Sequence, residues 1–238
     1  IISCGRISAP YSLIAKKINL CKNIHILDPY FQRDKFDKIL LPSHDSIHKL
    51  KSKKIIQTLG TLVNEKKLTK KDKKFDKIFY KKKIVACLIG GDGRSSKISV
   101  DNIKKLVDQV NNINKKFSVV YCLSRRTSKL SKEIILSTKK SNHYCFDYKE
   151  PNPYWYLINQ ASYFIVTEDS ISMISDAISS GKPIYLSKVT NIKLKIKNFQ
   201  EMLIKKGIIK IFDGQLYHWN YPKINESARV SKIINSLL

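Results

Sequence analysis

Residues 165–183 read IVTEDSISMISDAISSGKP, and this stretch decides the fold. It begins within an apolar run that has the length of a buried strand, and the polar segment TEDS follows directly. A helix is expected next, because Asp169 or Ser170 can accept hydrogen bonds from the N–H groups of its first turn. Gly181 can adopt the left-handed conformation that ends a helix, and Pro183 prevents its continuation. The stretch predicts a strand, a polar loop and a helix, with the loop where open α/β sheets bind ligands.

The same alternation recurs along the chain. Apolar runs with the length of strands are followed by segments with helical spacing, most clearly from residue 84 onward. This pattern predicts an α/β fold with parallel sheets and helices on both faces, arranged as two Rossmann-like halves facing a cleft. We expect a partial N-terminal domain over residues 1–65, a lysine-rich linker over 66–83, a C-terminal domain over 84–225 and a terminal helix over 226–238.

The chain of 238 residues is strongly basic, with a formal net charge of +26. Such a charge favours polyanionic partners, namely nucleic acid, anionic lipid or phosphorylated ligands. A composition rich in Lys, Ile and Asn, as AT-rich coding produces, is the plain alternative for most of that charge. No apolar run approaches the ~20 residues that span a bilayer. The sequence begins with Ile1 inside an apolar run, so we expect a preceding segment to be missing.

The cysteines favour reduced thiols. Five are present, an odd number without a CxxC pair, and four of them fall in or beside expected strands. This pattern is typical of buried thiols in the cytoplasm, and it argues against a disulfide framework or a zinc site.

Two loops in the C-terminal half have the chemistry of a phosphate site. Gly90 and Gly91 follow the strongest apolar run of the chain, 84–89, and a glycine turn before a helix can present backbone N–H groups to an anion. Arg125 and Arg126 follow the next apolar run, and guanidinium groups pair bidentately with phosphate oxygens. Because loops after parallel strands lie at one edge of a sheet, we expect these residues to converge.

A histidine in the N-terminal half is a candidate base. His44 and Asp45 follow the apolar run 36–41, and a carboxylate neighbour can assist a general base. Adjacent residues on an extended chain point to opposite faces, so the pair needs a turn to cooperate. A solvated loop histidine is the plain alternative. Gly5 and Arg6 follow the first expected strand and form a second candidate loop on that half.

Several segments together resemble one known family, the mitochondrial-fission Elm ("elongated mitochondria") proteins, whose members are mostly bacterial. The resemblance covers nearly the whole chain in the right order. The residues that carry it are Gly5-Arg6 with Ala9-Pro10, Asp28-Pro29, FDKILLPSHD over 36–45, Gly90-Gly91, SRRT over 124–127, and TEDSISMISDAISSGKP over 167–183.

The resemblance implies a GT-B glycosyltransferase-like fold, with a nucleoside-diphosphate sugar in the C-terminal domain and no essential metal or other cofactor. Glu168 and Asp176 have the spacing of the Glu-x7-Glu carboxylate pair found in some GT-B retaining enzymes. The second residue is Asp here, so retaining and inverting courses both stay open. On this basis the catalytic candidates are His44, Asp45 and Glu168. The candidate substrate-binding residues are Gly5, Arg6, Gly90, Gly91, Ser124, Arg125, Arg126, Thr127, Thr167, Asp169, Ser170, Ser172, Met173 and Asp176.

Three functions compete. The leading hypothesis is a glycosyltransferase that moves a sugar from a nucleotide sugar to an unknown acceptor, with a membrane-linked acceptor suited to the basic surface. The second is a non-catalytic adaptor that uses a GT-B shell for recruitment. The third, a nucleic-acid binder, rests on charge alone and lacks a reading motif, so no specific nucleic acid is expected. A cytoplasmic location, peripheral to the inner membrane of a bacterium, is expected, and the oligomeric state is left open.

Overall fold

The computed structural model describes residues 1–45, 52–64, 72–93, 96–149, 151–188 and 192–236. The chain divides into two compact units, the first made of Ile1–Leu62 with Asn225–Leu238 and the second of Val63–Ile224. The terminal helix, which the sequence set apart, therefore belongs with the first unit. Residues 66–71 of the expected linker lie outside the described residues.

The described strands and helices alternate along most of the chain. The strands are β1 Ile2–Cys4, β2 Ile24–Ile26, β3 Lys38–Pro42, β4 Ile55–Thr58, β5 Lys83–Ile89, β6 Phe117–Leu123, β7 Tyr144–Phe146, β8 Tyr163–Thr167, β9 Ile184–Ser187 and β10 Ile209–Ile211. The helices are α1 Ser8–Asn19, α2 Lys73–Ile78, α3 Val100–Asn111, α4 Lys129–Thr138, α5 Tyr154–Gln160, α6 Ile171–Ser179, α7 Leu194–Lys205 and α8 Glu226–Asn235, with a short 3-10 turn at Arg33–Lys35.

The first unit contains a parallel sheet in the order β1-β2-β3-β4. Parallel neighbours need a crossover between them, and α1 supplies the one from β1 to β2. On one side of the sheet a core cluster joins Ala9 of α1 to Phe36 and Ile39. A separate cluster joins Val230 of α8 to Ile24, so both termini of the chain take part in this unit.

The second unit contains a parallel sheet in the order β10-β9-β8-β5-β6-β7. The chain starts in the middle with β5, moves outward to β7, returns to β8 beside β5 and moves outward again. This is the doubly wound Rossmann order. Successive strands are added toward one edge from β5 to β7 and toward the other edge from β8 to β10, so the reversal point lies between β5 and β8. Residues 84–89 of β5 are all buried, which explains why that run is apolar without alternation.

The expected helix signals are confirmed in the second unit. Ser99 caps α3 in a capping box with Asn102, and Ser170 caps α6 by accepting from the N–H of Met173 at 3.4 Å. Gly181 follows α6 with a φ of 71°, the left-handed value that ends a helix without a Cβ clash. Local sequence thus determines where α3 and α6 begin and where α6 ends.

The aromatic residues before β8 have a packing role. Tyr156 is buried, and its ring lies 6.0 Å from that of Phe79 in a stacked geometry and 5.6 Å from that of Phe75. These contacts pack the end of α2 against the rest of the second unit. Part of the segment expected as a linker is therefore a helix of this unit.

The prediction of buried thiols was wrong for Cys4 and only partly right for Cys145. All five thiols are free, and Cys87 and Cys122 are buried as expected. Cys4 is exposed on β1, and Cys145 is half-buried on β7, the last strand in the order of the second sheet. None of the described helices combines the length and apolar character required to cross a membrane.

Candidate functional site

The loops after β5 and β8 meet at the reversal point of the second sheet. The N–H of Gly90 donates to Oγ1 of Thr167 at 2.8 Å, and the N–H of Gly91 donates to Oδ2 of Asp169 at 3.1 Å. Both bonds cross between segments almost eighty positions apart in sequence. The loops predicted to converge are therefore in direct contact, at the edge where doubly wound folds bind ligands.

Asp169 is the centre of this contact. Its side chain is fully buried, and Oδ2 accepts from Nη2 of Arg126 at 2.7 Å as well as from Gly91. The other oxygen, Oδ1, accepts the hydroxyl proton of Thr167 at 2.6 Å. A buried carboxylate is tolerated only when it is paired and hydrogen-bonded, and here both oxygens are occupied. Asp169 therefore joins three loops at once.

The two glycines make room for protein atoms. A Cβ on Gly90 would lie 2.1 Å from Oδ2 of Asp169, and one on Gly91 would lie 1.8 Å from the carbonyl oxygen of Arg126. Neither contact is possible for a real side chain, so both positions require glycine to let the loops pack. The close approach of these glycines to a ligand, expected from the sequence, stays a prediction.

The turn after β6 completes the network. Thr127 donates its hydroxyl proton to the carbonyl of Gly90 at 2.6 Å and accepts from the N–H of Ser124 at 3.0 Å. Nη1 of Arg126 donates to the carbonyl of Gly91 at 2.8 Å. Arg125 lies exposed in the same turn. Of the two arginines, Arg126 is thus fixed across the sheet edge, with 39% of its side chain exposed.

A cleft of about 400 Å³ opens beside this network. Its residues come from the loop after β5, the turn after β6, the start of α6 and the start of α7. They are Gly93, Ser96, Arg126, Asp169, Ser170, Ile171, Ser172, Lys195 and Ile196. The first-turn N–H groups of α6 carry partial positive charge, and the side chains of Arg126 and Lys195 add to it. With the carboxylate of Asp169 already paired, the cleft has the character of an anion site.

Sequence reasoning missed part of this lining. Lys195 and Ile196 lie at the start of α7, beyond the stretch that resembles a family motif, and Gly93 and Ser96 lie in the long loop before α3. A lysine in a chain with so many lysines carries little signal. The N-terminal position of Lys195 in a helix, where a cation is disfavoured without an anion, was the available clue.

Three other candidates of this unit lie in α6 or just before it, and they are not among the residues that line the cleft. Asp176 accepts the hydroxyl proton of Tyr154 at 2.6 Å, and burial together with this carboxylate raises the pKa of Tyr154 well above its ordinary value. Met173 is buried in the core. Glu168 is buried beside Asp169, and its backbone carbonyl accepts from Nε2 of Gln200.

The candidates of the first unit lie at the carboxyl edge of its own sheet. The N–H of Asp45 donates to the carbonyl of Pro42 at 3.0 Å, so His44 and Asp45 lie in the turn that their cooperation requires. Gly5 follows β1 with a φ of 79°. The guanidinium carbon of Arg6 lies 5.9 Å from the ring centre of Tyr30, within the range of a cation–π contact.

Two parallel α/β units, one with a Rossmann strand order and a cleft at its reversal point, are typical of a GT-B-like fold. A UDP-GlcNAc 2-epimerase from Neisseria meningitidis, solved with UDP-GlcNAc bound, has a similar fold, with a TM-score of 0.59, 18% identity, and coverage of 99% of this chain and 75% of that one. Likeness at this level of identity concerns the fold.

The chain belongs to the mitochondrial fission ELM1 family, whose profile matches residues 1–238. It is 29% identical over 280 residues to the uncharacterized protein RP120 of Rickettsia prowazekii, covering 100% of this chain and 79% of the relative. It is 32% identical over 156 residues to the mitochondrial fission protein ELM1 of Arabidopsis thaliana, covering 63% of this chain and 36% of the relative. The resemblance seen in the sequence motifs is therefore confirmed.

Among the described residues, no group of three or more His, Cys, Asp or Glu side chains is placed to hold a metal ion. Metal-independent chemistry stays a prediction.

Proposed function

We propose that the second unit binds the diphosphate of a nucleotide sugar in the cleft at the start of α6, and that the protein transfers the sugar to an acceptor. The observation that carries this proposal is the composition of the cleft. A helix N-terminus, one arginine and one lysine line about 400 Å³ at the reversal point of a doubly wound sheet. A nucleotide sugar is bound in the similarly folded epimerase structure.

The residues of the cleft divide into two roles. Ser170, Ile171 and Ser172 begin α6, where backbone N–H groups without helical partners can donate to phosphate oxygens. Arg126 lines the cleft with a partly exposed side chain, and its hydrogen bonds to Asp169 and Gly91 fix the position of the guanidinium group. Such a fixed cation costs little reorganisation when an anion arrives, which suits a site for a leaving diphosphate.

Sugar transfer requires negative charge to grow on the diphosphate as the glycosidic bond to it breaks. Positive groups that are already oriented stabilise that charge more in the transition state than in the ground state. Lys195 and the start of α6 would supply this stabilisation without a metal. Asp176 would accept from sugar or ribose hydroxyls, and Tyr154 would orient its carboxylate.

The acceptor would be activated by a general base. His44 with Asp45 is the candidate pair, because both lie in the turn after β3. Glu168 is the other catalytic candidate, at the end of β8. The acceptor itself is unassigned, and a membrane-linked one would suit the basic chain.

A non-catalytic adaptor is the second candidate function, and the relationship to the Arabidopsis fission protein favours it. In this alternative the cleft either retains nucleotide binding as a structural feature or has lost it. Binding without transfer distinguishes the adaptor from the enzyme.

Thermal denaturation with and without nucleoside diphosphates tests the proposed site. UDP, ADP and GDP, each with its nucleoside as a control, are added to the wild-type chain and to two variants. Lys195→Ala removes a cation that lines the cleft, whereas Lys197→Ala removes one that faces Glu201 on the same helix, at 3.9 Å. A ligand at a free concentration of about a hundred times its Kd stabilises the folded state by about 2.7 kcal/mol.

We expect one diphosphate to raise the Tm of the wild type and of Lys197→Ala, with a smaller rise for Lys195→Ala and none for the nucleosides. Equal shifts for the two variants would remove the cleft from consideration. With binding established, release of diphosphate from the matching nucleotide sugar in the presence of lipid extract separates the transferase from the adaptor.

A further inference from the structure

The six strands of the second unit all begin at one edge of its sheet, the amino edge, because the sheet is parallel. A connection from a helix leads into each strand there, and the structure describes all of these connections. Together they contain eight lysines and no aspartate or glutamate. Connections at the opposite edge contain carboxylates, among them Asp92 and Asp147. The eight lysines are Lys81, Lys82, Lys115, Lys116, Lys139, Lys140, Lys182 and Lys206.

Six of these lysines lie before three neighbouring strands, and we call these six the basic edge. Neighbouring strands are about 4.8 Å apart, so the charges converge. The C-terminal ends of the three preceding helices add at most about half a negative charge each, which leaves the edge strongly positive. Burial is the larger cause of the lowered pKa of His143, and the charges of Lys140 and Lys139 contribute to it. The basic edge consists of Lys81 and Lys82 before β5, Lys115 and Lys116 before β6, and Lys139 and Lys140 before β7.

Aromatic rings lie directly beside the basic edge. Nζ of Lys81 lies 5.2 Å from the ring centre of Tyr80, and Nζ of Lys82 lies 5.2 Å from that of Tyr144. Lys116 is placed in the same way over the ring of the residue that follows it. Tyr80 is 69% exposed, so part of its surface is open to a ligand. The edge therefore combines positive charge with an accessible aromatic side chain.

A cavity of about 490 Å³ opens beside Tyr80. The rings of Phe79 and Tyr156, the amide of Gln160 and two lysines of the basic edge also line it. Asp76 is the carboxylate of the lining, and burial together with the hydrogen bond to this carboxylate raises the pKa of Tyr156 to about 12. The carboxylate is therefore occupied by a neutral tyrosine. A flat ring with polar edges, such as a nucleobase, fits a cavity with this lining.

We propose that the basic edge binds single-stranded nucleic acid without sequence preference, with its lysines along the phosphates and Tyr80 stacked on a base. Sites of this kind combine cations that follow the backbone with aromatic rings that stack on bases. An anionic membrane is a poorer partner, because the connections that carry these lysines contain no exposed aliphatic side chain to enter the acyl region. The proposal does not depend on nucleotide binding in the cleft, which lies at the opposite edge of the sheet.

Fluorescence anisotropy tests the proposal with the full chain and a labelled strand of about 20 deoxythymidines, long enough to cover a site of this type. The double variant Lys115→Gln, Lys116→Gln removes two lysines of the basic edge. Its control, Lys104→Gln, Lys105→Gln, removes two exposed lysines of α3 with the same change in net charge.

Tyr80→Ala removes the ring proposed to stack on a base. Its control is Tyr148→Ala, which removes a ring that is 47% exposed after β7, at the opposite edge. Lys195→Ala, in the cleft, reports whether the strand binds there instead.

We expect the variant of the basic edge to bind about fivefold more weakly per lysine at ~0.1 M salt, with a salt dependence that is shallower by about 0.7 per lysine. The α3 variant should bind nearly as the wild type does. Tyr80→Ala should weaken binding at least about fivefold, because a stacked base is lost. Tyr148→Ala and Lys195→Ala should bind as the wild type does. A duplex of the same length offers no free base to Tyr80 and should bind more weakly than the single strand.

Other outcomes would overturn the proposal. A wild type that leaves the strand free at physiological salt, equal losses for the two lysine variants, or wild-type affinity in Tyr80→Ala would each exclude the proposed site. A loss in Lys195→Ala would assign the binding to the cleft. A wild type that sediments with phosphatidylglycerol vesicles but leaves the strand free would assign the basic edge to a membrane. Circular dichroism confirms that each variant is folded, as the exposed positions predict.

Discussion

Nη2 of Arg126 donates to Oδ2 of Asp169 across 2.7 Å, and this ion pair joins the turn after β6 to the loop after β8. The loop after β5 lies between them and contributes the N–H and the carbonyl of Gly91. Arg126 thus belongs to the structure of the cleft before any ligand arrives. Its removal affects folding and binding together, so a loss of binding in Arg126→Ala alone would be ambiguous.

A double-mutant cycle separates the two effects. Arg126→Ala leaves a buried carboxylate without its cation, and we expect a loss of roughly 1–3 kcal/mol in the free energy of unfolding, limited by the partial exposure of the arginine. Asp169→Asn in the same background should cost much less than it does alone. Urea denaturation of the wild type, both single variants and the double variant measures the coupling. Additive losses would mean that the ion pair contributes no interaction energy.

Gly90→Ala should destabilise the second unit by about 2 kcal/mol or more, because the added methyl group would overlap the carboxylate of Asp169 and force the loops apart. Gly93→Ala is the matched control. A Cβ there would lie 3.2 Å from Nη1 of Arg126, at the end of a side chain that can shift. Urea unfolding of both variants checks the difference, and similar midpoints would show that the loops after β5 and β8 tolerate separation.

Ser170→Ala tests whether the start of α6 is more than a helix terminus. Loss of a serine cap costs about 1 kcal/mol of stability, so the variant should unfold at a lower temperature. Ser99→Ala removes the cap of α3, which does not line the cleft, and should have a similar effect on stability. Only Ser170→Ala is expected to weaken the binding of a nucleoside diphosphate, by several-fold in titration calorimetry. Equal affinities for the two variants would contradict a phosphate site at α6.

His143 should make the stability depend on pH in the mildly acidic range. Burial lowers its pKa from 6.5 to about 4, with Lys140 and Lys139 contributing, and Nδ1 has no hydrogen-bond partner among the described residues. Between about pH 4 and 6.5, His143 is therefore protonated in the unfolded chain and neutral in the folded chain. Stability is unaffected above pH 6.5 and falls as the pH decreases toward 4, by on the order of 2 kcal/mol.

The variant His143→Gln checks this dependence by urea unfolding at pH 7 and pH 5. It should lose less stability between the two values than the wild type loses. His25, whose pKa burial also lowers, remains in the variant and should leave a residual slope. An unchanged slope in His143→Gln would assign the whole dependence to other groups.

The order of elements in the second unit could be predicted from local sequence. The apolar run 84–89 gave β5 almost to the residue, and Ser99 and Gly181 placed helix ends correctly, because caps and buried strands are determined by neighbouring residues. The contacts across the sheet edge could not be predicted. The pattern Gly90-Gly91 is the same whether a phosphate or the carboxylate of Asp169 fills the space, and only the fold decides which atom is near.

The residues of the candidate site also divide into those that local sequence could predict and those that depend on the fold. Arg126, Ser170 and Ser172 were identified because they follow strands or begin a helix within a distinctive motif. Lys195 was missed, since its position at the cleft depends on where α7 packs.

The uneven exposure of the thiols makes covalent labelling informative. Cys4 is exposed and Cys21 half-buried in the first unit, whereas burial raises the pKa of Cys122 in the second unit to about 12 and that of Cys87 further still. Maleimides react with accessible thiolates, so brief treatment of the native chain should modify exposed Cys4 first and spare Cys87 and Cys122. A fluorophore introduced at Cys4 would lie four residues before α1, where it reports on the first unit without any change to the sequence.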